Sequence, residues 1–372
     1  EGPAQDQARS EVAIMSTVGD MLRLARQRLG FTQKAAAERI GIAQPVLSRF
    51  ENGPAEPDDA FLHKAASVYS LPREFFDLRD PVYGPPVSVH PMLRAKADIS
   101  ARDLDMVVSE MNLRVMHVRR FLDAVDYAPT SELPSLEVEQ YGSPERIAGV
   151  VRAHWGVPSG PVKSLTALVE RSGVIVGTSD FSGASISGMT FRVPGQPPLV
   201  LLNRNHPADR MRFTLAHELG HLVMHRFPTP EMEDEANAFA SALLMPEREM
   251  REAFSGRRIT LELLAALKPE WRVAMQALLM RAKALGYLSD NQNRYLWQQI
   301  SSRGWRTKEP PELDFPHERP TILNAIIKAH LDDLGFTMSE LSRLVPLHEP
   351  EFVKMYDLAE EALSKPRLRL VI

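Results

Sequence analysis

The sequence Phe-Thr-Leu-Ala-His-Glu-Leu-Gly-His-Leu-Val-Met-His at residues 213–225 decides the architecture in the middle of this chain. Its apolar character and spacing predict a largely buried helix. His217 and His221 are four residues apart, so both imidazoles lie on one face of that helix and can reach the same ion. Glu218 projects beside them, where a water molecule on that ion would sit. The stretch therefore predicts a metal site with a neighbouring general base.

The third ligand is expected on the helix that follows, because a catalytic zinc site keeps three protein ligands and one open position. The chain has no cysteine, so this ligand must be a carboxylate or another histidine. Glu233 is the first choice, since Asn237 lies one turn later and could hold a ligand histidine as an outer partner. Glu235 is the alternative. His225 lies about 12 Å along the axis from the first histidine, too far to share an ion easily.

Together these residues predict metal-assisted amide hydrolysis. Zinc would polarise a peptide carbonyl and lower the pKa of a water molecule towards 7. Glu218 would take the proton from that water and pass it to the leaving amine. Manganese in place of zinc remains open, and an inert helix or a purely structural ion is the alternative to catalysis.

A second signal lies near the amino end, where three short helices are predicted between residues 18 and 51. Gly30 and Gly41 end the first two helices, and only three or four residues separate the second helix from the third. Such a tight turn lets the third helix enter a DNA major groove while the second crosses the backbone. The residues expected at the DNA are Gln33 and Lys34 on phosphates, Gln44 on a base, and Ser48 and Arg49 on bases or phosphates. A three-helix bundle without a DNA partner is the alternative.

Length and composition predict a globular protein of two to three domains, because the chain has 372 residues with 44% hydrophobic and 25% charged. The formal net charge is −4, but residues 15–53 carry six basic and three acidic side chains. A local basic patch is therefore compatible with DNA binding. The absence of cysteine excludes disulfides and thiolate metal sites and agrees with a reducing cytoplasm. No apolar stretch reaches the roughly 18 to 20 residues needed to cross a bilayer, which predicts a soluble protein.

The pattern along the chain predicts a mainly α fold with a small β-sheet, in the α+β class. Strands are expected after residue 173, at 188–193 and at 199–203, and the last two are separated by a Pro- and Gly-rich turn. The expected divisions are a tail or added segment at 1–14, a helix-turn-helix domain at 15–78, a linker at 79–97, a metallopeptidase domain with a preceding long helix at 98–310, and a helical carboxy-terminal region at 311–372.

Two resemblances add to this interpretation. The run Gly-Phe-Thr-Gln at 30–33, with Ala-Glu-Arg-Ile-Gly-Ile-Ala-Gln-Pro-Val-Leu-Ser-Arg-Phe-Glu-Asn-Gly at 37–53, resembles the XRE, or Cro/CI-like, DNA-binding domain. Ala43 departs from that family, which often has a Ser or Thr cap at the start of the third helix. Residues 203–221 and the run Glu-Asp-Glu-Ala-Asn-Ala-Phe-Ala-Ser-Ala-Leu-Leu-Met-Pro at 233–246 resemble the ImmA/IrrE family of zincin-like metallopeptidases.

The second resemblance implies a peptidase that cleaves a helix-turn-helix repressor, and many relatives carry an XRE domain ahead of the peptidase. By position it implies that His217 and His221 are ligands, Glu218 the base and Glu233 the third ligand. The expected function is a DNA-binding regulator joined to a zinc endopeptidase, with double-stranded DNA and a protein substrate as partners, no membrane, and a homodimer to read two half-sites. The alternatives are a regulator whose peptidase fold senses a ligand without cutting, and an amino-terminal domain that binds only protein. A Gly-Phe-Thr run at 335–337 echoes the one at 30–32, but so short a match predicts an ordinary helical hairpin.

Overall fold

The computed structural model describes residues 15–53, 55–86, 100–125, 127–157, 159–181 and 186–358. These residues form two compact units. The first unit contains residues 15–84, 100–121 and 330–358, and the second contains 85–86 and 122–329. The expected tail at 1–14, residues 87–97 of the expected linker and residues 359–372 lie outside the described residues.

The expected class, α+β with one small sheet, is confirmed for the described residues. The helices are α1 (Val18–Arg28), α2 (Gln33–Ile40), α3 (Gln44–Glu51), α4 (Asp59–Tyr69), α5 (Ala101–Leu122), α6 (Val138–Tyr141), α7 (Pro144–His154), α8 (Leu165–Arg171), α9 (Ala208–Met224), α10 (Met232–Leu244), α11 (Glu247–Phe254), α12 (Leu261–Trp271), α13 (Met275–Ala284), α14 (Asp290–Ser302), α15 (Ile322–Asp332), α16 (Met338–Leu344) and α17 (Glu349–Met355). The strands are β1 (Ile175–Ser179), β2 (Gly188–Phe191) and β3 (Leu199–Asn203). No helix among the described residues is long and apolar enough to span a bilayer.

Capping residues, a glycine and a proline mark where the three amino-terminal helices begin and end. At the start of α1, the Thr17 side chain accepts a hydrogen bond from the Asp20 amide, and the Asp20 carboxylate accepts one from the Thr17 amide. At the start of α2 the Thr32 side chain accepts a hydrogen bond from the Ala35 amide, and a residue with positive φ, Gly41, ends the helix. Ala43 at the start of α3 makes no side-chain cap, so this end is supported only by a proline in the first turn.

The long helix α5 belongs to the first unit, whereas the sequence places it ahead of the metallopeptidase domain. Asn112 Oδ1 accepts a hydrogen bond from the Tyr83 amide (2.7 Å), and its Nδ2 donates to the Tyr83 carbonyl (2.8 Å). His117 Nδ1 lies 2.6 Å from the hydroxyl of Tyr356. The apolar face of α5 is thus covered by residues from the expected linker and from the carboxy-terminal region. Such distant pairings leave no periodicity in the sequence.

The sheet of the second unit has the order β1, β3, β2. β1 runs parallel to β3 and β2 antiparallel to it, with Thr190 opposite Val200. The antiparallel pair is the hairpin that the Pro- and Gly-rich turn indicates. Nearly every strand residue is buried, because helices α8 and α9 pack against the sheet. This explains the continuous apolar run at 199–202.

Helix α9 contains the His-Glu-Leu-Gly-His stretch, and α10 packs along it. Gly220 permits this close packing. A Cβ at Gly220 would lie 3.1 Å from the ring of Phe239 and 3.3 Å from the Cα of Ala236, which is tighter than ordinary carbon contacts. The absence of a side chain at Gly220 therefore brings the first turn of α10 to the histidine face of α9.

A buried ion network anchors the start of α9. Lys268 on α12 is 1% exposed, and its Nζ lies 2.5 Å from Asp209 Oδ2 and 2.7 Å from Glu309 Oε2. Glu309 also accepts hydrogen bonds from the amides of Met275 and Gln276. A buried charge is tolerated only when it is paired and hydrogen-bonded, so these partners fix the helix that bears the site.

Candidate metal centre

Helix α9 brings the two predicted ligand histidines together. His217 Nε2 and His221 Nε2 lie 3.0 Å apart, and both side chains are buried. Helix α10 supplies Glu233, whose Oε1 lies 3.2 Å from His221 Nε2 and whose Oε2 lies 3.5 Å from His217 Nε2. Within the described part of the chain, these three residues form a group whose ligand atoms lie within 4.8 Å of one another and could hold a metal ion.

The outer nitrogen of each ligand histidine also has a partner. His217 Nδ1 lies 3.1 Å from Asn237 Oδ1, which can only accept a hydrogen bond, so Nδ1 carries the proton and Nε2 a lone pair. Asn237 is the outer partner that the sequence predicts. It lies one turn after Glu233 on α10, so this helix provides both a candidate ligand oxygen and the group that holds the ring of a candidate ligand histidine.

A longer chain of contacts orients the second histidine. His225 Nε2 lies 2.9 Å from Glu235 Oε2, so it donates to the carboxylate and leaves a lone pair on His225 Nδ1. His221 Nδ1 lies 3.0 Å from that nitrogen and therefore donates to it. The lone pair of His221 is then on Nε2, which faces Glu233. The relay runs from Glu235 through His225 to His221.

The donor set fits a divalent cation. Three atoms with lone pairs, two imidazole nitrogens and a carboxylate oxygen, would repel one another unless a cation or a proton lies between them. Glu233 Oε1 is buried and receives no hydrogen bond from any described residue. With zinc–ligand distances near 2.0–2.1 Å, tetrahedral ligands stand about 3.3 Å apart. The observed separations of 3.0, 3.2 and 3.5 Å bracket that value.

The charges of the site favour ligation. Burial lowers the pKa of His217, but the adjacent Glu233 carboxylate and the charge of Glu218 outweigh it and raise the pKa above its usual value. Burial also raises the pKa of Glu233, yet its interactions with both histidines lower it to about 2. Glu233 is therefore a carboxylate at neutral pH, the form that binds cations.

Glu218, the predicted base, is 1% exposed and adjoins the two histidines on α9. Thr190 Oγ1 on β2 donates a hydrogen bond to Glu218 Oε2 at 2.7 Å. This contact fixes one oxygen of the carboxylate and leaves the other able to accept a proton. Sequence reasoning missed Thr190, because it stands on a strand 28 residues earlier and matches no motif.

Glu235, the alternative third ligand, instead holds His225. His225 lies one turn beyond His221 and outside the group of candidate ligand atoms, in agreement with its spacing in the sequence. Sequence reasoning nevertheless missed its supporting role, for which the signal was the third histidine at the same four-residue spacing in 217–225.

The predicted DNA-facing residues lie on α2 and α3. Lys34, Gln44 and Arg49 are exposed. Ser48 is half-buried, and its Oγ accepts a hydrogen bond from Asn52 Nδ2 at 3.1 Å. These three exposed side chains of the first unit are therefore accessible to a ligand.

Gln33 has a different environment from the one expected of a phosphate contact. Its Nε2 donates to Glu51 Oε2 and its Oε1 accepts from Gln44 Nε2, each at 2.9 Å. Glu51 is buried and paired with Arg26, whose Nε and Nη2 lie 2.6 and 2.8 Å from its two oxygens. Gln33 thus connects a buried ion pair to Gln44 and orients that side chain.

Comparison with known proteins agrees with both parts of the chain. Residues 22–76 match the helix-turn-helix family model, and residues 169–283 match the model of the IrrE N-terminal-like domain. The HTH-type transcriptional regulator ImmR of Bacillus subtilis is 35% identical over 66 residues, which cover 18% of this chain and 52% of ImmR. The propionyl-CoA carboxylase regulator of Cereibacter sphaeroides is 28% identical over 67% of this chain and 61% of that protein.

The matched regions thus span about half to three fifths of the length of these relatives. The second family match contains the metal-site histidines, Glu218 and Glu233, and the first contains all the predicted DNA-facing residues. The chain therefore joins an XRE-type helix-turn-helix domain to a domain of the IrrE and ImmA type.

Proposed function

We propose that this protein is a DNA-binding transcriptional regulator joined to a zinc-dependent endopeptidase that cleaves a protein substrate, such as a helix-turn-helix repressor. The observation that carries the proposal is the convergence of His217, His221 and Glu233 beside Glu218. A structural zinc site uses four protein ligands, whereas three ligands and an adjacent carboxylate are typical of a hydrolytic one.

His217, His221 and Glu233 would hold the ion, which when bound would supply Lewis-acid activation of water and of the peptide carbonyl. Two nitrogens and one carboxylate suit zinc, although manganese would also accept this set. Glu218 accepts a proton from the attacking water and delivers it to the leaving amine. Thr190 keeps the Glu218 carboxylate in one orientation through both transfers.

The first unit would bring this activity to a promoter. Gln44 would read a base, Lys34 would hold a phosphate, and Arg49 would hold a phosphate or a base edge. A homodimer would let two such helices read half-sites one helical turn apart. With DNA and a repressor as partners, the proposal locates the protein in the cytoplasm. Both named relatives are regulators, which supports a gene-regulatory output.

The test is to incubate the protein with zinc and a panel of candidate repressors, beside the Glu218→Gln variant. This substitution keeps the size of the side chain and removes its basicity. We expect one or more repressors to be cut by the parent protein and none by the variant. Equal cleavage by both, or no cleavage across the panel, would contradict the proposal.

A second candidate function is regulation without proteolysis, in which the metal site senses an ion, a peptide or a partner. The regulator names of both relatives favour it, since neither name describes a peptidase. Regulation that is lost in Gln44→Ala but intact in Glu218→Gln would select this alternative. If the first unit binds only protein, its binding would respond little to salt, whereas phosphate contacts make DNA binding fall steeply with salt.

A further inference from the structure

The helices of the carboxy-terminal region repeat the spacing of the amino-terminal ones. α1, α2 and α3 span 18–28, 33–40 and 44–51, and α15, α16 and α17 span 322–332, 338–344 and 349–355. Adding 305 to each number of the first set gives the second set to within one residue. A constant offset over 35 residues, with no insertion in either turn, means that the segments 18–52 and 323–357 follow one three-helix pattern.

The local signals that shape the two segments also coincide. Gly30 and Gly335 both have positive φ, 63° and 76°, after the first helix. Thr32 and Thr337 both cap the second helix with their side chains. In the turn that follows, the Ile42 amide donates to the Ala37 carbonyl at 3.0 Å, and its counterpart at 347 donates to the carbonyl of 342 at 2.9 Å. The identical residues at the 305 offset are Leu29 and Leu334, Gly30 and Gly335, Phe31 and Phe336, Thr32 and Thr337, and Pro45 and Pro350.

The buried positions correspond as well. At this offset, core residues of the first segment fall on core residues of the second, with exposures of 0–5%. The matched pairs are Met21 and Ile326, Leu22 and Ile327, Ala36 and Leu341, Ile40 and Val345, and Leu47 and Phe352. The buried positions of the second segment thus repeat those of the first, with larger residues at Leu341 and Phe352 and a smaller one at Val345.

The surface chemistry of the two segments is opposite. Residues 18–52 carry six basic and three acidic side chains, a formal +3, and residues 323–357 carry three basic and six acidic ones, a formal −3. Two of the exposed positions that would face DNA have changed accordingly, whereas Arg49 corresponds to another basic residue, Lys354. Gln44 corresponds to Glu349, and Lys34 corresponds to Ser339. An acidic residue at the start of the third helix would be repelled by phosphates.

Residues 330–357 of the second segment belong to the first unit, where they contact the first segment. Arg28 at the end of α1 forms an ion pair with Glu351 on α17 and donates a second hydrogen bond to the carbonyl of Tyr69 at 3.3 Å. The Arg28 side chain is 9% exposed, so this contact is largely shielded from water. Arg114 on α5 donates to the Met355 carbonyl at 3.1 Å, which joins α17 to the long helix.

We propose that residues 323–357 follow a second, charge-inverted helix-turn-helix pattern, and that residues 330–357 of this segment dock on the first helix-turn-helix and on α5 and do not read DNA. Its partner is the basic amino-terminal domain of the same chain, recognised through opposite charge and the Arg28–Glu351 ion pair. Gln44, Lys34 and Arg49 are exposed in the structure, so docking leaves the expected DNA face accessible. The statement about DNA depends on the proposed function, and the statement about docking does not.

A charge-reversal cycle in the full-length chain tests the docking. Hydrogen–deuterium exchange is measured on peptides from α1, α16 and α17 in the Arg28→Glu, Glu351→Lys and double-reversal proteins. We expect each single reversal to speed exchange of these peptides by about 3- to 10-fold and the double reversal to restore most of the protection. Glu349→Lys, an equal charge change at an exposed position of the same helix, serves as the control and should leave protection unchanged. If a reversal prevents folding, Glu351→Gln gives the milder version.

Two results would overturn the docking: unchanged protection in Glu351→Lys, or no recovery in the double reversal.

Binding to a DNA fragment that the parent protein selects tests the claim that the second segment does not read DNA. Arg49→Ala should weaken binding at least 10-fold, whereas Lys354→Ala, at the matching position of the second segment, should change it less than 2-fold. An equal loss in Lys354→Ala would overturn the claim that this segment does not read DNA. If the parent protein selects no DNA, the proposed function fails, and the exchange measurements still decide the docking.

Discussion

The relay from Glu235 through His225 to His221 predicts a measurable effect on metal affinity. In Glu235→Leu, His225 loses the acceptor that fixes its tautomer, so His221 loses the neighbour that holds its own proton on Nδ1. Outer partners of metal-binding histidines typically contribute 10- to 100-fold to affinity, which corresponds to about 1.4–2.7 kcal/mol. We therefore expect the zinc dissociation constant to rise by about 10- to 100-fold.

The size of the loss in zinc affinity distinguishes two ways in which Glu235 can act on His221. Freeing the tautomer alone would cost only about a factor of two, because imidazole has two neutral tautomers of comparable energy. A larger loss requires that the Glu235 carboxylate also orients the ring of His221 and strengthens its Nε2 as a donor. Glu235→Gln keeps an acceptor without the charge, so its affinity should lie between those of the parent protein and Glu235→Leu.

The assay is competition for zinc with a chromophoric chelator at fixed pH and ionic strength. Asp234→Leu is the matched control, since it removes an exposed carboxylate from the same helical turn. Imidazole nitrogen NMR shifts report the tautomer of His221 directly, which a general loss of stability would not alter. Zinc affinity within twofold of the parent protein in Glu235→Leu, or an equal loss in Asp234→Leu, would refute the relay.

Three further predictions address the base, the core and the first unit. Thr190→Val should lower kcat/KM for repressor cleavage about 10-fold or more at unchanged zinc content, because a hydrogen bond to a charged group contributes about 1.5–3 kcal/mol. Cleavage at the parental rate would contradict this prediction. Lys268→Met leaves two buried carboxylates without their cation and should destabilise the second unit by about 3–5 kcal/mol. Urea unfolding followed by tryptophan fluorescence measures this change, and a loss under 1 kcal/mol would contradict the prediction. Burial, reinforced by the charge of Arg114, holds the pKa of His117 well below its usual value, so the unfolded chain binds a proton near pH 6.5 that the folded unit does not. The free energy of unfolding should fall as the pH drops below about 6.5, by up to about 1.4 kcal/mol per pH unit, and an equal slope in His117→Gln over pH 5 to 8 would contradict this.

Much of the metal centre could be predicted from sequence because it depends on two helical spacings. His217 and His221 share a face of α9 whatever surrounds the helix, and Glu233 with Asn237 shares a face of α10. Thr190 could not be predicted, because its position depends on where the β2 strand lies relative to α9. Strand order and register are set by contacts between distant residues, which local patterns do not encode.

In the fold, too, local features could be predicted from the sequence and contacts between distant residues could not. Caps and glycines mark α1 and α2, and Pro207 marks the start of α9, so local chemistry places these helices nearly correctly. The long helix α5 is amphipathic in sequence, but its periodicity does not say which core it faces. Its partners are residues near 83 and 356, far from it along the chain. The grouping of the carboxy-terminal helices with the first unit could not be predicted for the same reason.

The central claim is that two imidazoles and one carboxylate hold a single divalent cation beside a catalytic base. Elemental analysis of the purified protein, after incubation with zinc and removal of excess metal, tests it most directly. We predict one zinc per chain in the parent protein and in Glu218→Gln, and its loss in His217→Ala. Equal zinc content in His217→Ala and the parent protein would contradict the claim.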